Sequence, residues 1–181
     1  MAFREGSEQH PHYEEREHME AMDGIPPQIP GYIFAQKLGS GSEANVYLYQ
    51  QLSPSRQVAI KISKGMLDPS AAARFRSEAN FMGKISSHPY ILSVYESGVT
   101  TTGNGYTVFE YAPGGNYKTF LESNRLNADQ MLTVGINLAS ALSTAHREGI
   151  IHRDIKPSNI LINTHGMPML SDFGIAGTIY G

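Results

Sequence analysis

The sequence predicts an α+β fold in which a small antiparallel sheet with one helix is followed by a mainly helical half. Five short runs rich in β-branched and aromatic residues fall at 32–38, 45–49, 58–62, 92–99 and 106–111. The links between them carry turn residues, as in Ser53-Pro54-Ser55 and Gly103-Asn104-Gly105, and closely spaced runs of this kind pair antiparallel. Beyond residue 111 the apolar spacing becomes helical.

Residues 1–27 are crowded with Glu, His and Arg and hold few apolar side chains, too few to offset the entropy of ordering, so they read as a disordered charged tail. His10, His12 and His18 lack the partners at fixed spacing that a metal site needs and belong to that tail. Ile25-Pro26-Pro27-Gln28-Ile29-Pro30-Gly31 follows as a stiff extended lead-in. The chain therefore divides into a tail and lead-in (1–31), a sheet-bearing lobe (32–111) and a helical part (112–181).

Between the third and fourth strands the sequence predicts a helix capped by Asp68, with Pro69 at its first position, running to about residue 84. Phe75, Glu78 and Met82 share one face of it with Ala79 nearby, so a carboxylate falls on the side that packs against the sheet. Such a carboxylate needs a cation, and Lys61 at the end of Val58-Ala59-Ile60-Lys61 is the expected supplier. A second, longer helix is announced by Asn127 with Gln130, a cap and capping-box pair. Met131, Val134, Leu138, Leu142 and Ala145 make its apolar face and Gly149 ends it. His146 and His165 read as surface residues, and 160–162 as a short strand.

The chemistry concentrates in His152-Arg153-Asp154-Ile155-Lys156-Pro157-Ser158-Asn159 and in Asp172-Phe173-Gly174. This set suits phosphoryl transfer: Asp154 can accept a hydroxyl proton and Lys156 can offset charge on the transferring group. Asn159 and Asp172 offer the hard oxygen donors that magnesium prefers. Leu38-Gly39-Ser40-Gly41-Ser42-Glu43-Ala44-Asn45-Val46 links the first two strands, and its glycines let backbone amides approach anionic oxygens.

Composition narrows the alternatives. A net charge of −3 with dispersed basic residues points away from nucleic acid, and the lack of cysteine excludes disulfides and thiol chemistry. No apolar run reaches membrane-span length, so the chain reads as soluble and cytoplasmic.

In register, these motifs resemble eukaryotic-like serine/threonine protein kinases, most closely bacterial ones. The resemblance covers about two thirds of a complete domain of roughly 250 residues, ending shortly after Asp-Phe-Gly. It implies ATP bound with Mg2+ or Mn2+ between two lobes and a protein Ser/Thr hydroxyl as acceptor, Lys156 and Pro157 matching the serine/threonine pattern. It implies that Lys61, paired with Glu78, holds the α- and β-phosphates while residues 38–46 cover them, with Ala44 in place of the family's third glycine. Backbone groups of Glu110 and Ala112 would meet the adenine edge, Phe109 would close the back of the pocket and Asn116 would meet the ribose. Val46 and Ala59 above and Leu161 below would sandwich the purine. Arg153 implies control by phosphorylation of the following loop, with Thr178 a candidate acceptor. A nucleotide-binding pseudokinase, an inactive fragment and a small-molecule phosphotransferase remain as alternatives.

Overall fold

The computed structural model describes residues 26–173; the charged tail with its three histidines, Gly174 and Thr178 lie outside that range. Five strands, β1 (Tyr32–Ser40), β2 (Ala44–Gln51), β3 (Arg56–Met66), β4 (Val94–Val99) and β5 (Asn104–Glu110), form one antiparallel sheet in the order β1-β2-β3-β5-β4. Helix α1 (Pro69–Ile85) connects β3 to β4. The second part holds α2 (Tyr117–Ser123), α3 (Ala128–Arg147) and a two-stranded ribbon of β6 (Ile160–Ile162) and β7 (Pro168–Leu170). The α+β class and all five sheet strands match expectation, whereas α2 and β7 were not foreseen. Each is short, seven and three residues, and too brief to show a period.

β3 is the strand on which the small lobe is built. Val58, Ile60 and Ile62 are 0%, 0% and 3% exposed, while Ala59 and Lys61 between them face the other way. The buried set packs with Tyr47, Tyr49, Val108 and Ile29 into one cluster on the outer face of the sheet. Ile29 comes from the lead-in, which is therefore a strap and more than a spacer: Tyr49 Oη donates to the Pro27 carbonyl (3.2 Å), and the Leu52 amide donates to the Gly31 carbonyl (2.9 Å). Gly31 turns the chain into β1 at φ +85°, which favours glycine.

The caps of both long helices are those expected. Asp68 accepts from the Ala71 amide (2.8 Å), and Asn127 and Gln130 form a reciprocal capping box. The apolar face of α3 needs correction at one end: Ala141 and Ala145 are buried and Val134, Leu138 and Leu142 pack behind them, but Met131 is 56% exposed. Leu132 and Ile136 are also mostly exposed, because they lie on the face of α3 turned away from the core made by Ile150, Ile160 and Leu170, against which Val134, Leu138 and Leu142 pack. No helix among the described residues is long and apolar enough to cross a membrane.

The strap gives a direct test. Truncating Ile29 to Ala opens a cavity on the outer sheet face and is expected to cost about 2–4 kcal/mol in urea unfolding of the full chain, whereas exposed Gln28→Ala should change little.

Candidate active site

Cross-strand partners in the sheet share a face, and the register collects the expected nucleotide residues on the face opposite the strap. Val46 stands opposite Lys61, Leu48 opposite Ala59, and Ala59 in turn opposite Phe109. Val46, Ala59 and Phe109 are half-buried, as an apolar lining open on one side should be, and Leu48, 5% exposed and not singled out by its sequence context, lies behind them. Ala112 and Glu110 are also half-buried where the chain leaves the sheet. Below, Leu161 is the half-exposed residue of β6 between buried Ile160 and Ile162.

The loop over this face is a tight hairpin. A register irregularity between Lys37 and Gly39 leaves Leu38 as the extra residue, and the Gly41 amide donates to the Ala44 carbonyl (2.8 Å) to close the turn through Ser42 and Glu43. Ser40 Oγ donates to Oδ1 of buried Asn45 (2.7 Å), tying the two arms together. A Cβ at Gly39 would meet nothing within 4 Å, so packing does not demand glycine there; its absence keeps the backbone approachable. Ala44 fits the turn without displacing it.

The two loops of the second part converge. Lys156 Nζ lies 2.6 Å from Asp154 Oδ2, and Asn159 Nδ2 donates both to that oxygen and to the Asp154 carbonyl, each at 2.9 Å. The Lys156 hydrogen bond, with that of Asn159, holds the Asp154 carboxyl below the usual aspartate range. Both amide protons of Asn159 point at Asp154, so its oxygen is the atom presented elsewhere. Lys61 Nζ reaches Asp172 Oδ1 at 3.1 Å, bringing the small lobe's lysine to the second loop. Asp172 has φ +51° and Arg153 φ +66°, sparsely populated backbone for non-glycine residues at the two ends of this cluster.

His152 is the residue that sequence reasoning undervalued. It is 1% exposed; its Nδ1 accepts the Asp154 amide (3.3 Å), which leaves Nε2–H to donate to the Ser171 carbonyl (2.8 Å). Its ring also packs on Phe173, centroids 4.6 Å apart. The imidazole thus fastens the loop of Asp154 to the loop of Asp172. The apolar Ile150-Ile151 run before it was the available signal for burial.

Two expectations change. Among the described residues the ion pair of Lys61 is with Asp172 and not with Glu78; the glutamate is near enough to feel Lys61 but sits half-buried, beside Glu43 as well. Asn116, expected to meet a ribose, spends its Oδ1 on the Thr119 amide (3.0 Å) as the cap of α2.

Burial pushes the Glu78 carboxyl above the ordinary glutamate range, against the opposing charges of Lys61 and Arg74. A carboxyl raised in the folded state binds its proton more tightly there than in the unfolded chain. Stability therefore falls as pH rises from the ordinary range through the raised value. Glu78→Gln should leave the chain as stable or more stable at pH 8 and flatten the difference between pH 5 and pH 8. Urea titrations at both pH values measure this, and a clear loss at pH 8 would show an ion pair stronger than the desolvation cost.

Donor chemistry fits a divalent cation of the magnesium type, which takes one or two carboxylates and completes its shell with water and phosphate oxygens. Asn159 and Asp172 are the residues that would supply that partial set, and no group of three or more His, Asp or Glu forms a metal cage among the described residues.

The sequence profile described as "Protein kinase domain" matches residues 32–181. Serine/threonine-protein kinase PknK of Mycobacterium tuberculosis is 38% identical over 157 residues, covering 83% of this chain and 14% of that protein. Serine/threonine-protein kinase PrkC of Bacillus subtilis is 38% identical over 148 residues, covering 80% of this chain and 22% of that protein. The crystal structure of the Mycobacterium tuberculosis PknI kinase domain superposes with a TM-score of 0.68 at 28% identity, over 83% of this chain and 62% of that one. The chain thus spans about a seventh to just over a fifth of these full-length relatives. The profile match over residues 32–181, the bacterial serine/threonine kinase relatives and the cleft of Lys61, Asp154, Asn159 and Asp172 agree: the chain belongs to the protein kinase domain family.

Proposed function

We propose that this chain is the nucleotide-binding and catalytic portion of a serine/threonine protein kinase, transferring the γ-phosphate of ATP to a protein hydroxyl. The observation that carries the reading is the Asp154–Lys156–Asn159 cluster, joined through His152 and Ser171 to the loop whose Asp172 meets Lys61. Protein kinases as a family use ATP and a divalent metal; here Mg2+, or Mn2+ in its place, would be held by Asn159 and Asp172 and would neutralise phosphate charge.

The protein groups divide the work. Glu110 and Ala112 offer main-chain groups to the adenine edge, with Val46, Ala59 and Leu161 against its faces and Phe109 behind. Residues 38–46 close over the phosphates, and Lys61 exchanges Asp172 for their oxygens, with Glu78 as its carboxylate neighbour. Asp154, kept ionised by Lys156 and Asn159, orients the acceptor hydroxyl and takes its proton; Lys156 then offsets charge on the group in transit. Positioning supplies most of the rate.

Asp154→Asn is expected to reduce transfer by about 10²–10⁴-fold while ATP affinity, read by calorimetry, stays within a few-fold. Equal loss of both would assign Asp154 a folding role. Offered a serine/threonine protein, a sugar and an aminoglycoside with labelled ATP, the full chain should label only the protein. With much of α3 open to solvent, its turnover is expected to lie below the roughly 1–100 s⁻¹ of kinases; label on the sugar or aminoglycoside instead would sink the reading.

A further inference from the structure

The segment that leaves β5 does more than join two halves. The Gly114 amide donates to the Ile162 carbonyl (3.0 Å), the Ile162 amide returns a bond to the Gly115 carbonyl (2.9 Å), and Asn116 bridges Leu161. Residues 114–116 thus lie along β6 as an added strand. On the other side of the ribbon, the Leu92 amide donates to the Leu170 carbonyl (2.9 Å) and the Leu170 amide to the Tyr90 carbonyl (2.8 Å). The segment before β4, residues 90–92, and the crossing between the halves, residues 114–116, are therefore both bonded to one small ribbon. That ribbon begins at Ile160, next to Asn159, and ends at Leu170, two residues before Asp172.

Close approach at Gly114 makes this possible. A Cβ there would stand 2.6 Å from Cβ and Cγ2 of Ile162 and 2.9 Å from its carbonyl oxygen. Ile162 is 7% exposed within the core of the second part, so those atoms cannot swing aside as the tip of a flexible side chain could. Any side chain at 114 must lift the crossing segment off β6.

The geometry points to Gly114 as a positioning residue that sets the adenine-recognising backbone of Glu110 and Ala112 in fixed relation to Asn159 and Asp172. Gly114 touches neither base nor metal; it acts by letting one ribbon carry the register of both ends of the nucleotide site. The inference rests on the nucleotide reading given above. Its distinctive consequence is that disturbing the crossing changes how strongly a divalent metal assists nucleotide binding.

Calorimetry on the full chain with ATP, with and without Mg2+, tests this. In Gly114→Ala, affinity for ATP with Mg2+ should fall at least tenfold, and the factor by which Mg2+ tightens binding should shrink threefold or more. General destabilisation would lower the active fraction and leave that factor alone. An unchanged factor overturns the linkage, while a wild-type chain that binds no ATP at all overturns the nucleotide reading and this inference with it. Hydrogen exchange on the wild-type chain decides the matter even where Gly114→Ala does not fold. Adenosine, which has no phosphates to reach the metal-holding residues, should slow exchange of the Ile162 and Ser171 amides at least threefold, and adenosine binding without such slowing overturns the linkage.

Discussion

Everything at the site depends on the satisfaction of one buried amide side chain. Asn159 is 8% exposed and its groups other than Oδ1 are engaged: Nδ2 with the carbonyl and carboxylate of Asp154, the main-chain amide with Lys156, and the main-chain carbonyl with both the amide (2.9 Å) and Oγ (3.1 Å) of Ser171. A buried donor or acceptor left unmade costs about 1–3 kcal/mol. Asp154 cannot drift without stranding a donor, nor can the Asp172 loop recede without stranding a carbonyl. His152 adds an independent tie between the same two loops. The pair of loops is in effect one rigid body assembled from two pieces of sequence.

That body meets the small lobe through β3, whose alternation separates two duties. One face is given over to packing and carries Val58, Ile60 and Ile62; the other carries Ala59 and Lys61. A long side chain that is half-exposed, paired with Asp172 at 3.1 Å and within reach of the field of Glu78 farther off, has a second carboxylate to turn to. An ammonium so placed can change partners with little reorganisation of the backbone. Rigid loops below and a lysine with a choice above are a sensible division for a site that must grip a polyanion and later release it.

Much of this was legible in the residues. Strand positions followed from β-branched runs, both long helices from their caps, and the reactive set from the spacing of Asp154, Lys156, Asn159 and Asp172. What stayed hidden required the third dimension. The partner of Lys61 depends on how far α1 stands from the sheet, a distance that a helical period does not encode. Asn116 looks like a free polar side chain until α2 is known to start beside it and to need a cap. Met131 fits the apolar stripe of α3 by spacing, yet the first turn of that helix stays exposed. Ile29, set among prolines, read as linker because burial of a single side chain by a distant sheet leaves no periodic trace. Gly114 is silent for a similar reason, since close approach to Ile162 is visible only once β6 is placed.

The strap has a practical corollary. Ile29 is seated on the outer side of the sheet, across β3 from Lys61, and Tyr49 holds the Pro27 carbonyl beside it. The strap therefore meets the small lobe from behind, and a reporter or affinity handle attached at exposed Gln28 would stand on that side, away from the face that carries Lys61 and so clear of nucleotide and acceptor.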